Sequence, residues 1–201
     1  LFDKKDYSDP SLPLSDRYRF LEYHKWKYSG KVFLPLMNPT TVKRTPVLMA
    51  RIEGGIINSY NKYKRSPFGT YYMGGDMMSG SMGNYMNETI GLRGYKNGSI
   101  AGANYDYAYS YMKASLELRY PLIFEQSTTV WVLGFAEAGN AWSDISRYNP
   151  FDLKRSAGVG VRVMMPMIGL LGLDWGYGFD RPNGYNERGG SNIHFVLGRD
   201  L

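Results

Sequence analysis

The chain has 201 residues, 21% of them charged, a formal charge of +6 and a mean hydropathy of -0.39. It has no uninterrupted apolar stretch near the length of a membrane helix, which excludes a bundle of such helices. It does not exclude a β-barrel, in which only every second strand residue faces lipid. Cysteine is absent, which excludes disulfides and thiolate metal sites. The Lys and Arg are scattered, with small clusters such as Lys62, Lys64 and Arg65, and form no single stripe of the kind nucleic-acid binding needs. The 18 Tyr suit a membrane-interface girdle and the 24 Gly suit crowded or bent strands.

Leu1–Ser15 is polar, holds two prolines and has no period, so it reads as a loop cut partway. Arg17–Leu36 reads as a long mixed strand with Pro35 near its end, and Met37–Thr45 as a short connection. In Pro46–Asn58, Leu48, Ala50, Ile52 and Ile56 alternate with Val47, Met49, Arg51 and Glu53, as on a two-faced strand. Ser59–Met112 is too long for an idle surface loop; it is either disordered or packed onto something, and its aromatics favour packing. The next strand sets Leu116, Leu118 and Tyr120 against Ser115, Glu117 and Arg119.

Beyond the short Ile123–Thr128, the segment Thr129–Gly139 is apolar on both faces until Glu137. Ala141–Lys154 is a longer connection. Ser156–Met165 places Ala157, Val159, Val161, Val163 and Met165 opposite Ser156, Gly158, Gly160, Arg162 and Met164. Pro166–Gly169 is short. Leu171–Asp180 is the cleanest strand: Leu171, Leu173, Trp175, Tyr177 and Phe179 face one way, Gly172, Asp174, Gly176, Gly178 and Asp180 the other. After the long Arg181–Gly190, Ile193, Phe195 and Leu197 alternate with Asn192, His194, Val196 and Gly198.

These are seven strands joined alternately by short turns and long polar loops, the pattern of an outer-membrane barrel with its long loops outside. Seven leaves two open edges, which lipid does not tolerate unpaired, so further strands are expected before Leu1.

Enzyme chemistry finds little footing. The two histidines, His24 and His194, are far apart, and no metalloprotease, phosphate-loop, serine-hydrolase or dinucleotide motif is present. Asp174 and Asp180 read as ordinary lumen-facing acids. Met77, Met78, Met82 and Met86 offer soft ligands to a metal, although such a cluster is more often pliable packing. Arg93 stands between glycines in the long loop, with Glu117 and Glu137 on the strands that follow. If the loop folds inward, its guanidinium has the forked geometry to hold both carboxylates; otherwise these are three unrelated charges.

At these residues the chain resembles a known family. Gly91-Leu92-Arg93-Gly94-Tyr95 is similar to the arginine-centred loop motif of the BamA superfamily of outer-membrane insertases and translocases. Ala114–Pro121, with its Glu before an aromatic and a proline, resembles the strand after that loop, and Gly134–Trp142 the next. Leu153–Arg162, Met165-Pro166, Gly172–Tyr177 and His194–Arg199 continue in the family order. The resemblance is strong from Phe68 onward and fainter over 17–58. The wording of Asn149–Gly160 is most similar to the BamA-type insertases of the Bacteroidota.

The resemblance implies an all-β fold: a transmembrane antiparallel β-barrel of sixteen strands, about seven of them C-terminal strands in this chain. Residues 1–16 would be an extracellular loop fragment and 17–201 barrel, with the earlier strands and periplasmic POTRA domains absent. It implies that loop 59–112 folds into the lumen, where Arg93 pairs with Glu117 and Glu137. It further implies an insertase of the bacterial outer membrane that works without catalytic residues, metal or cofactor. Its partners would be nascent barrel clients, accessory lipoproteins and lipid or lipopolysaccharide. Clients would enter at a lateral seam formed by the last strand, with Ile193, Phe195 and Leu197 on it and Gly198 free to kink. Alternatives are a TamA-like or two-partner secretion-type transporter and a passive barrel. Two positions depart from the family: residue 137 is Glu where many members have Asp, and the chain ends on Leu201 rather than an aromatic.

Overall fold

The computed structural model describes residues 11–17, 22–38, 40–42, 44–60, 65–76, 87–101, 107–125, 127–166 and 169–198. Among the described residues nine strands form in chain order: β1 (Tyr23–Pro35), β2 (Val47–Ser59), β3 (Tyr71–Met73), β4 (Glu88–Ile90), β5 (Ser110–Phe124), β6 (Thr129–Trp142), β7 (Lys154–Met165), β8 (Gly169–Gly178) and β9 (Gly190–Leu197). Seven of them make one antiparallel sheet in the order β1-β2-β5-β6-β7-β8-β9, with β1 and β9 at its edges. The remaining two, β3 and β4, pair in parallel within the long connection between β2 and β5.

The period-two patterns set the two faces of the sheet. Leu116, Leu118 and Tyr120 on β5, Val159 and Val161 on β7, Leu173 and Trp175 on β8, and Ile193, Phe195 and Leu197 on β9 all lie exposed on the outer face. The inner face carries Glu117, Glu137, Ser156, Arg162, Asp174 and His194, all buried. Polar residues are inside and apolar residues outside, the reverse of a soluble sheet and the arrangement of a sheet between lipid and a lumen. No described helix is long and apolar enough to cross a membrane.

Several boundaries differ from the sequence reading. Leu14–Arg17 is a single helical turn, with Asp16 N–H donating to Pro13 O at 3.0 Å, so the first strand starts at Tyr23 rather than Arg17. The fixed φ of Pro13 favours that turn. β5 begins at Ser110, inside the segment read as loop, because Ser110, Tyr111 and Met112 continue the pairing with Ile56, Gly55 and Gly54. For the same reason β6 runs past Gly139 to Trp142. β8 stops at Gly178, so Asp180 is not on the strand. It pairs instead with Arg155 at 2.9 Å, beyond the strand end. Gly198 follows β9 at φ +69. Most of residues 1–16, the methionines at 77, 78, 82 and 86, and Leu201 lie outside the described residues.

The long connection has a core of its own. Tyr71, Met73, Ile90, Leu92, Tyr95, Ile100, Ala101 and Ala108 bury against Ile57 of β2, Tyr111 of β5 and Ala141 of β6. Bridges Tyr71↔Ala108, Met73↔Ala101 and Gly75↔Leu92 close it into a body. Burying apolar side chains is worth about 1.5–3 kcal/mol each, which offsets the entropy of ordering so long a segment. The wall makes room with glycines. A Cβ on Gly55 would fall 2.2 Å from Tyr71 Oη, and one on Gly139 2.6 Å from Met73 Cε.

Candidate functional site: the loop tip on the inner wall

The register of the sheet lays out the site as three adjacent rows of cross-strand neighbours. The first contains Ser115, Glu137, Ser156 and Gly178; the second Glu117, Phe135, Gly158, Gly176 and Asn192; the third Arg119, Leu133, Gly160, Asp174 and His194. Each row thus supplies one carboxylate, from β6, β5 and β8 respectively. In the middle row Gly158 and Gly176 carry no side chain, and a Cβ on either would meet the Phe135 ring. Phe135 therefore lies across them and forms a floor between the three acids.

Arg93 rests on that floor, its guanidinium carbon 3.7 Å from the Phe135 ring centroid. Its Nη2 reaches Glu117 Oε1 at 2.5 Å and Glu137 Oε1 at 2.7 Å, and its Nη1 reaches Asp174 Oδ2 at 3.2 Å. The backbone N–H of Arg93 donates to Glu137 Oε2 at 2.9 Å. Arg93 and its three acids are fully buried or nearly so. Burial alone would drive the guanidinium towards neutrality, but Glu137 and Glu117 outweigh it and hold the proton more tightly than usual.

A second tier of cations encloses the acids. Lys113 Nζ donates to Gly91 O at 2.7 Å and pairs with Glu137 at 3.1 Å. Arg119 pairs with Glu117 at 2.7 Å, and Arg162 grips Asp174 through two bonds of 2.5 and 2.7 Å. Buried ions survive only when paired; each of these acids meets at least two cations, while Arg93 Nε and Arg162 Nε have no acceptor among the described residues.

Next to Arg93, Gly94 adopts φ +84 and sits directly on the backbone of β8. A Cβ there would lie 2.8 Å from Tyr177 C and 2.9 Å from Gly178 N. Its N–H donates to His194 Nε2 at 2.9 Å, and Asn192 Nδ2 donates to its carbonyl at 3.0 Å. Tyr95 Oη donates to Arg155 O at 2.7 Å; burial pushes its phenol up to about 12.

Among the residues expected from sequence, the structure brings Arg93, Glu117 and Glu137 into one cluster, with Gly91, Leu92, Gly94 and Tyr95 around it. Ile193, Phe195 and Leu197 lie apart on the outer face of β9. Asp174, which the sequence reads as a solvated or paired lumen acid, is a paired one, held by Arg93 and Arg162 as a member of the cluster. Lys113, Arg119, Arg162, Asn192 and His194 were also missed as partners. A signal existed for Asp174, the one acid in the glycine-rich face of β8 that lies within the strand. His24 meets Tyr60 instead, their rings tilted at 58° with centroids 5.0 Å apart. Among the described residues, no group of His, Asp and Glu is arranged to hold a metal.

An antiparallel sheet with an apolar outer face, and a folded loop locked onto its polar inner face, is the architecture of an outer-membrane β-barrel. Residues 18–201 match the Omp85 superfamily domain, and the chain belongs to that superfamily. Among solved structures it is similar to BamA from Haemophilus ducreyi lacking POTRA domains 1-3, with 21% identity and a TM-score of 0.57. The match covers 87% of this chain and 34% of that one, so the chain spans about a third of that structure's length. No curated protein sequence matches the chain.

Proposed function

We propose that this chain is the C-terminal part of the barrel of a BamA-type insertase, which folds client β-barrels into the bacterial outer membrane. The observation that carries the reading is the buried lock of Arg93 on Glu117, Glu137 and Asp174, which fixes a long loop against the inner wall. A passive pore gains nothing from filling its lumen with a loop held by buried charge. In this reading the sheet belongs to a sixteen-stranded barrel and the loop is extracellular in origin. β9 faces the barrel's first strand across a seam that opens sideways. The work is done by backbone pairing: an unpaired edge is costly in lipid, so an open seam templates the next strand. No bond chemistry, nucleotide or cofactor takes part. Clients, accessory lipoproteins and outer-membrane lipid are the partners.

Charge reversal in the full-length protein, with client assembly in reconstituted membranes as readout, tests the reading. Arg93→Glu is expected to cripple assembly, and adding Glu117→Arg or Glu137→Arg to restore part of it. Normal assembly by Arg93→Glu would defeat the dependence on the lock, and no client assembly by the unaltered protein would make it a passive barrel that shares only the fold.

A further inference from the structure

The last strand holds the loop tip from its own side. Apart from the pairing with β8, the inner face of β9 offers two polar side chains, Asn192 and His194, and both close on Gly94. Asn192 Nδ2 also donates to Gly189 O and Gly190 O at 2.9 and 3.2 Å, which fixes its amide. His194 is only 3% exposed. In the sheet β9 pairs with β8. Through Asn192 and His194 the loop is a further attachment of this strand, on the residue adjoining the Arg93 lock.

The chemistry of that attachment is specific. Gly94 N–H donates, so His194 Nε2 must present a lone pair. An imidazolium carries hydrogens on both nitrogens and cannot accept. The charged groups facing the ring come from three other elements: Asp174 directly opposite on β8, Glu137 on β6, and Arg93 and Asp76 in the loop. β9 itself contributes no other titratable group over Gly190–Leu197.

We propose that His194 and Asn192 form a clasp through which the loop tip positions the last strand, and that protonation of His194 releases it. His194 is a positioning residue: it touches the loop, not a client. The consequence for client insertion rests on the proposed function, whereas the clasp itself does not.

The test is hydrogen exchange on the full-length protein in lipid vesicles, followed over the segment around Gly94 and over β9, with β6 as the internal reference. His194→Leu is expected to speed exchange in both segments together by about five- to tenfold, the scale of one net hydrogen bond. The wild-type protein is expected to show the same paired loosening between pH 8 and pH 5, beyond the intrinsic effect seen in β6. His194→Gln keeps an acceptor that does not titrate, and is expected to hold both segments protected across that range. Unchanged β9 protection in His194→Leu, no paired loosening of the wild type down to pH 5, or equal loosening of His194→Gln and wild type at pH 5, would overturn the clasp. Should His194→Leu fail to fold, the wild-type and His194→Gln arms still decide. Client assembly in the same vesicles reads out the insertase function separately: paired loosening in a protein that assembles no clients supports the clasp and defeats only the insertase reading.

Discussion

Arg93 answers to three carboxylates on three different strands, and a residue with that many partners is held by geometry as much as by charge. Its neighbour Gly94 is what lets it get there. At φ +84, and with the β8 backbone under 3 Å from any added Cβ, the position admits glycine alone. Gly94→Ala is expected to cost about 1–3 kcal/mol. It would lift the loop tip off β8, seen as faster cleavage of the loop by an added protease while the strands stay protected. At this scale the sequence showed Arg93, Glu117 and Glu137 as candidates, because a lone Arg between glycines and two strand acids stand out. It did not show Asp174 as their partner. That depends on Gly160 and Asp174 falling opposite each other and one row from Glu117, which no linear spacing encodes.

The loop behaves as an element in its own right, and two of its fastenings are ionic. Its tip is locked by Arg93, while Glu88 on β4 pairs with Lys25 at 2.8 Å and with Lys27, both on β1. Lys25 Nζ also donates to Gly69 O at 2.8 Å. Burial raises the Glu88 carboxyl, but hydrogen bonds from Lys25 and Lys27 outweigh it, so the group titrates below its ordinary value. The sign follows from linkage: a folded value below the unfolded one contributes stability above the usual glutamate range, and this is lost as the pH falls through the folded value. The loop stem is therefore expected to detach from β1 on acidification below about pH 4.5. Lys25→Gln with Lys27→Gln should flatten that transition, with exchange of the 88–90 amides as the measurement. Sequence reading placed a packed loop here from its length and aromatics. It ended the loop at Met112 because Ser110–Met112 has no alternation of its own to mark a strand.

Across the whole molecule, the outer face of the sheet decides how it sits in a bilayer. Leu173 lies mid-strand on β8 and is 43% exposed on that face. Leu173→Arg is expected to destabilise the folded protein in vesicles by about 2–4 kcal/mol if it meets the hydrocarbon midplane. Lys31→Glu, on the inner face of β1, is expected to stay within about 0.5 kcal/mol. Reversible urea unfolding in lipid vesicles measures both. Equal costs at the two positions would mean that the outer face does not meet lipid.

The sequence by itself determined the strands and their two faces. A period of two residues needs only local order to be read, and Leu171–Gly178 states it without ambiguity. It also favoured packing over disorder for the 59–112 connection, since so many aromatics are costly to leave in water. The tertiary structure alone decided which inner-face residues meet. Register across four strands brings Glu137, Glu117 and Asp174 into adjacent rows and leaves glycines beneath Phe135. It also carries the loop some hundred positions along the chain to His194 and Asn192. Such contacts are fixed by hydrogen-bond registry and by the volume a missing side chain leaves, and neither quantity is written in the order of the residues.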